Sequence, residues 1–337
     1  AVLTPQEINK LFSIINKMKK EGCTIIIITN KMNEVMEITD RVTVLRSGET
    51  TKTIKTKDTN PKELTELMVG RSMDLTIKNI TNKRGKQVLE VKDLTVINED
   101  KAKVLDSVTF NLYEGEILGV AGVSGSGQKE LCESIAGLYP VEKGQIFYKN
   151  ESIVDKTPKQ IINMGISMSF IPEDRLGMGL VASMDMVDNI ILKEYQNKRG
   201  LLIDRKPAEK KAEAIIKKLD IQTPGIHFPV KKLSGGNIQK VLLGRELESN
   251  PQILITAYPV RGLDVGATYT IYNLISKEKE KGVAVLYIGE DLDVLIDLCD
   301  RIMVLSSGKV TGLINSKDAT REKIGLLMTG EIEGDSN

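Results

Sequence analysis

A chain of 337 residues with 47 Lys and Arg against 46 Asp and Glu carries a net charge of +1, so there is no broad basic field to gather nucleic acid or anionic lipid. With 41% apolar and 28% charged residues, the composition is that of an ordinary globular protein of about two domains, and low-complexity disorder is excluded. Cys23, Cys132 and Cys299 are odd in number and scattered, which argues against a disulfide framework or a cysteine metal site and for a reducing compartment.

The chain opens Ala-Val-Leu-Thr-Pro, with no initiator Met and no signal-peptide pattern, and this start is expected to be a cut. Residues 1–70 read as a helix, a buried strand at Thr24–Thr29, a short helix, a second strand at Arg41–Leu45, a Ser-Gly turn and a closing helix. The same run returns without a gap at residues 261–330, at a constant offset of 260. Leu3 matches Leu263, Gly22 matches Gly282, Asp40-Arg41 matches Asp300-Arg301, Val44-Leu45 matches Val304-Leu305, and Gly48 matches Gly308. The back half of a parallel α/β sheet is thus present twice, with Val283–Ile288 and Arg301–Leu305 as the second pair of strands. The polar, aperiodic Thr81-Asn-Lys-Arg-Gly-Lys86 ends where a fresh strand pattern, Val88–Thr95, begins. The expected organisation is an incomplete first unit at 1–80, a linker at 81–87, a complete second unit at 88–330 and a tail at 331–337. The strongest apolar runs are strand-length and too short to cross a bilayer.

In the second unit, the apolar strand Glu116–Ala121 runs into Gly122-Val-Ser-Gly-Ser-Gly127 and then into the helical pattern Glu130–Gly137. Such a turn lets backbone N–H groups converge on phosphate oxygens in front of a helix N-terminus, and Gly122, Ser124, Gly125, Ser126 and Gly127 are the candidates. A working phosphate loop ends Gly-Lys-Ser/Thr, with Lys on the terminal phosphates and the hydroxyl on magnesium, whereas here those positions hold Gln128 and Lys129. Taken alone, the loop is equally compatible with a tight turn that binds nothing. Met178, Met184 and Met186 form an apolar cluster suited to core packing or to partner contact. Lys206–Lys218 alternates with Ala and Ile as the solvated face of a helix, and His227 sits in a turn-rich loop with no second His to complete a metal site. Leu233-Ser-Gly-Gly-Asn-Ile-Gln-Lys240 then heads the helical run Val241–Glu248, ahead of the strand Ile253–Thr256; by itself Ser234 needs no more than an N-cap role.

Leu-Ser-Gly-Gly-x-x-Gln at a helix start, placed between a Gly-rich loop and a buried strand, resembles the signature motif of ATP-binding-cassette (ABC) ATPases. Phe170-Ile-Pro-Glu-Asp-Arg175 with Gly179-Leu180, and Arg261-Gly-Leu-Asp264-Val-Gly-Ala267, resemble more narrowly the ATPase subunits of simple-sugar and nucleoside importers, which carry two cassettes in one chain. The resemblance covers essentially the whole sequence, residues 1–70 looking like the end of a first cassette and 88–330 like the second. It implies a P-loop NTPase fold, α/β with a parallel-sheet core, a helical subdomain and N-terminal antiparallel strands. It also implies ATP and Mg²⁺ as cofactors, mainly at the first-cassette site, and transmembrane permease subunits as partners. An extracellular solute-binding protein would act indirectly, and the chain would lie at the cytoplasmic face of the cell membrane. The run Arg175–Val181 leans towards a nucleoside or another sugar-like solute. In a head-to-tail pair of cassettes, Ser234, Gly235, Gly236, Asn237 and Gln239 would serve the first cassette's nucleotide.

Departures from that family pattern concentrate at the second site. Ala257 and Tyr258 stand where Asp would hold Mg²⁺ and Glu would polarise the attacking water. The switch positions, usually His, are Asn30 in the first copy and Glu290 in the second, and the γ-phosphate-sensing Gln appears as Glu173. Asp264 keeps the D-loop carboxylate, its first-copy counterpart being Thr4, and the adenine-stacking aromatic expected near Val96–Asp100 is absent. The expectation is one hydrolytic and one degenerate site, the latter binding nucleotide weakly and hydrolysing it poorly or not at all. Three other readings stay open: an inert truncated chain, a helper module that completes another ATPase, and a soluble cassette protein of translation or DNA repair, against which the balanced charge counts.

Overall fold

Strands in which every residue is buried are covered on both faces, and three such strands decide the architecture of this molecule. The computed structural model describes residues 5–29, 31–46, 48–70, 77, 84–170, 175–194 and 203–330. The first repeat copy supplies α1 (Pro5–Lys20), α2 (Met32–Ile38), β1 (Arg41–Arg46), β2 (Glu49–Lys55) and α3 (Pro61–Val69). After it come β3 (Gln87–Ile97), β4 (Lys103–Tyr113), β5 (Ile117–Ala121), α4 (Gln128–Ile135), β6 (Lys143–Tyr148), β7 (Glu151–Ser152), α5 (Pro158–Asn163) and β8 (Ile166–Phe170). A helical stretch follows, with α6 (Arg175–Met178), α7 (Met186–Glu194), α8 (Lys206–Leu219) and α9 (Gly235–Leu247), and leads to β9 (Ile253–Ala257). The second repeat copy closes the chain as α10 (Val265–Glu280), β10 (Ala284–Ile288), α11 (Leu292–Leu298), β11 (Arg301–Ser306), β12 (Lys309–Asn315) and α12 (Arg321–Met328).

The central sheet has the order β12-β11-β5-β10-β9-β8, parallel throughout except for the β11–β12 hairpin. Along β10, Val285 and Tyr287 face a core built with α7 to α12, while Ala284, Leu286 and Ile288 face a second core built with α4 and the antiparallel sheet β4-β3-β6-β7. This period of two is the pleat itself, and each fully buried aliphatic side chain contributes about 2 kcal/mol. The structure is therefore α/β with a parallel core, an antiparallel sheet on one face and helices on the other. No helix of the described residues is long and apolar enough to cross a membrane.

The repeat is reproduced in detail. β1 pairs with β2 from Arg41↔Lys55 and β11 with β12 from Arg301↔Asn315, each hairpin carrying a register shift at the equivalent place, Val44/Leu45 and Val304/Leu305. Lys19 reaches Asp40 at 2.9 Å, as Lys279 reaches Asp300 at 2.6 Å. Asn60 caps α3 and Thr320 caps α12, each accepting from the backbone N–H three residues on. The copies also touch: α1 packs on α12 and, reciprocally, α3 on α10. Asn33 and Asp293, which occupy equivalent places in the two copies, share a hydrogen bond of 2.9 Å.

One expected element is not formed. Thr24–Thr29, read as a buried strand, has no ladder, and Ile26 and Ile28 are 88% and 96% exposed. Its counterpart β10 is a strand because β5 and β9 bond it on both sides, and this sequence holds no first-copy equivalents of those two. β1, likewise expected to resemble β11, is mostly exposed, whereas β11 is buried along all but its last residue.

Candidate nucleotide site

β5, β10 and β9 lie side by side and parallel, so the segments leaving their C-terminal ends converge, and it is there that the open α/β sheet offers a crevice. The segment after β5 is Gly122–Gly127. Gly122 is required by close approach, since a Cβ would stand 2.6 Å from the Leu305 carbonyl and 2.5 Å from Gln128 Nε2. Gly125 and Gly127 take φ of +86° and +99°, which only glycine adopts without cost. A Cβ on Gly125 would meet nothing within 4 Å, so the crest of the loop is open, and Ser124 is exposed beside it. Gly127 is the N-cap of α4 and offers no side-chain cap, which leaves the first N–H groups of the helix facing outward for an anion.

Side chains around this loop are turned to internal partners. Gln128 is buried and donates Nε2–H to the Val123 carbonyl at 3.1 Å, bracing the loop from beneath. Ser126 is buried, and its carbonyl accepts from Gly308 N–H at 3.2 Å, tying the loop to the β11–β12 turn. Lys129 lies along α4 with its amine 3.8 Å from Glu133. Burial pushes the Glu133 carboxyl above its usual range, Lys129 opposes this and Glu130 adds to it.

After β9 the backbone turns sharply. Ala257 is buried, and Tyr258 takes φ of +51°, a conformation costing about 1–3 kcal/mol in a non-glycine residue. Tyr258 N–H donates to the Ile288 carbonyl at 2.9 Å, which locks the end of β9 to the end of β10. Its phenol is pushed up to about 12, first by burial and then by the Glu290 carboxylate. Glu290 accepts an ion pair from Arg261 at 3.1 Å, and the guanidinium lies 5.7 Å from the centre of the Tyr258 ring. A magnesium ion does not fit this donor set. A methyl group and a phenol stand in the acidic positions, an ammonium replaces the hydroxyl after the loop, and the described residues contain no group of three or more His, Cys, Asp or Glu able to hold a metal.

The Ser-Gly-Gly segment heads α9. Ser234 is the N-cap and is exposed, its Oγ accepting from Asn237 N–H at 3.4 Å and from Asn237 Nδ2 at 2.9 Å. Asn237 in turn accepts from Gln222 N–H at 3.0 Å. Gly236 has no heavy atom within 3.8 Å of a built Cβ, and the Asp264 carboxylate is among its nearest neighbours at 3.9 Å, so the segments of residues 234–237 and 261–264 are contiguous. Asp264 caps α10 through Ala267 N–H at 2.9 Å. Gln239 is buried and bonds the Pro259 carbonyl, fastening α9 to the turn after β9.

The structure therefore gathers Gly122–Lys129, Ala257, Tyr258 and Glu290 at one end of the sheet, and Ser234–Gln239 with Asp264 in a second group. Asn30, Glu173 and Thr4 lie outside the described residues. Of the three methionines, Met186 is in the core and Met178 is exposed, so the cluster divides between packing and surface. His227 is in a loop and pairs with Asp185 at 2.9 Å. Two arrangements were not read from the residues. Arg261 stands within the run Arg261–Ala267, and its link to Glu290 follows from the adjacency of the β9 and β10 ends. Glu246, fully buried in α9, is held by Arg245 and Lys193, and Arg245 reaches the Gly179 carbonyl at 2.8 Å, connecting α9 to the segment after Pro172-Glu-Asp-Arg175; a Glu inside an apolar helical run was the available signal.

The family model for ABC transporters matches residues 105–259. The chain is 39% identical over 333 residues to a xylose import ATP-binding protein of Moorella thermoacetica, an alignment covering 98% of this chain and 66% of the relative. It is 37% identical over 334 residues to a nucleoside import ATP-binding protein of Lactococcus lactis subsp. cremoris, covering 98% and 65%. The chain thus spans just under two thirds of these relatives. A dimeric structure of a bacterial ABC transporter cassette superposes with a TM-score of 0.59 at 23% identity, over 68% of this chain and 98% of that one.

Proposed function

We propose that the chain is an ATP-binding cassette of the ABC transporter family and the nucleotide-binding part of an importer for a simple sugar or nucleoside. One observation carries the reading: a single folded unit holds both an open Gly-rich loop heading α4 and an exposed Ser-Gly-Gly head on α9, the two halves of a nucleotide sandwich between cassettes. In this reading residues 1–80 are the end of a first cassette and 88–330 a second one. The reciprocal packing of α1 on α12 and α3 on α10, with Asn33 against Asp293, supports a head-to-tail pair within one chain. Ser234, Gly235 and Gly236 then face ATP and Mg²⁺ held by the first cassette. The loop Gly122–Lys129 belongs to a second site that does not hydrolyse, since Ala257 and Tyr258 supply no base and Glu290 repels a γ-phosphate. The partners are permease subunits at the cytoplasmic face of the membrane, with a solute-binding protein acting through them.

The test is phosphate release by the purified chain with ATP and magnesium. The expected result is no turnover above that of a Ser124→Pro control with a spoiled loop; turnover clearly above it overturns the non-hydrolytic assignment. A helper module that completes a separate ATPase is the second reading, favoured by the exposed face of Ile26 and Ile28. Co-purification of the chain with a permease from membranes supports the first reading, and co-purification with another soluble ATPase alone supports the second.

A further inference from the structure

Phosphates need cationic partners, and at Gly122–Lys129 the family's usual sources are gone. Gln128 is neutral and engaged with Val123, Lys129 is turned along α4 to Glu133, and the donor set does not fit magnesium. A guanidinium stands at the same end of the sheet. Arg261 follows β9, its N–H donates to the Tyr258 carbonyl at 3.2 Å, and its side chain pairs with Glu290 just beyond β10. The Tyr258 ring is half-buried against the core cluster that includes Leu131 and Cys132 of α4, and the Arg261 guanidinium lies 5.7 Å from its centre.

Resting on the reading of this loop as a cassette nucleotide site, we propose that Arg261 is its phosphate-binding cation and that the site takes the polyphosphate of a nucleotide without a divalent metal, the guanidinium exchanging Glu290 for phosphate oxygens. The exchange is cheap on the protein side. Arg261 is 40% and Glu290 26% exposed, and an ion pair so open to water contributes little. A guanidinium bound to phosphate through two parallel N–H donors is stronger than that, and Arg suits this geometry better than Lys. Stacking on Tyr258 keeps the planar group oriented once it leaves Glu290. Glu290 then acts as a built-in competitor that weakens binding, and it also explains how a carboxylate is tolerated where a phosphate must lie.

Fluorescence titration of the purified chain with a methylanthraniloyl-labelled ATP, in magnesium and in EDTA, tests this. The parent is expected to bind within about twofold of the same affinity in both buffers. Arg261→Ala should weaken binding in EDTA at least tenfold, Arg261→Lys should restore only part of it, and Glu290→Gln should tighten binding severalfold. If Arg261→Ala melts early by circular dichroism, Glu290→Gln decides: tighter binding supports the exchange and unchanged binding overturns it. Affinity that collapses in EDTA, or EDTA-resistant binding that Arg261→Ala leaves intact, overturns the proposal and leaves the cassette reading standing. No binding in either buffer removes both the proposal and the nucleotide-site assignment of this loop.

Discussion

Glu116 is 1% exposed at the head of β5, and its carboxylate takes Arg301 at 2.6 and 3.0 Å with Arg84 at 3.3 Å. Removing the arginine strands a buried charge, so Arg301→Met is expected to cost about 3–5 kcal/mol in urea unfolding, part of which Glu116→Gln in the same chain returns. Its first-copy counterpart, Arg41, is exposed, and Arg41→Met should stay within about 0.5 kcal/mol. Glu133 makes a prediction with a sign. Its carboxyl is raised in the folded state, chiefly by burial, so ionisation costs stability at neutral pH and the cost disappears once the group is protonated. Glu133→Gln should therefore melt higher than the parent at neutral pH, with the difference shrinking as pH falls through the carboxylate range. An advantage that grows on acidification would contradict this. At this scale the sequence names Gln128, Ala257, Tyr258 and Glu290 through residue identity at a fixed offset, and the parallel ends of β5, β9 and β10 bring them to one end of the sheet. It is silent where the partner is chosen by folding: nothing along the chain couples Arg261 to Glu290 before β9 and β10 lie side by side.

Among elements, the two hairpins provide an internal control. Gly48 and Gly308 turn them with φ of +85° and +78°. A Cβ at Gly48 would meet nothing within 4 Å, whereas at Gly308 it would lie 2.6 Å from the Val104 carbonyl of β4. Gly48→Ala is expected to cost about 1–2 kcal/mol from backbone strain alone. Gly308→Ala adds a collision with main chain and should lose a further 1–3 kcal/mol or so, measurable as the gap between their melting curves. Equal effects would mean that the β4 contact yields. The same comparison explains the misread element. Thr24–Thr29 and Ala284–Ile288 have equally strand-like compositions, yet a strand needs partners for its backbone, and that requirement cannot be seen in the composition of the segment itself. The helices and the continuous apolar runs of β10 and Ile302–Leu305 in the second copy, in contrast, carry their burial pattern in the residues and are legible from them.

Across the whole molecule, the repeat turns exposure into a difference measurement. Leu11, Ile14, Met18, Ile26, Ile28 and Leu45 are exposed, while their counterparts Ile271, Leu274, Glu278, Leu286, Ile288 and Leu305 are buried. An apolar face of this kind promotes self-association through unpaired backbone and side chains alike. The double change Ile26→Lys with Ile28→Lys should leave unfolding within about 0.5 kcal/mol of the parent and lower light scattering at high concentration, whereas Leu286→Lys should fail to fold. Unchanged scattering would show that self-association does not run through this face. Cys23 stands exposed one residue before that run, while Cys132 and Cys299 are fully buried with their thiols pushed upward by burial. The chain therefore carries its own optical tag: a maleimide dye at neutral pH should mark Cys23 alone, its emission following whatever comes to lie over the adjoining Thr24–Thr29 segment. Cys132, on the helix that follows Gly122–Gly127, becomes a slow second clock, its labelling rate counting how often that helix opens.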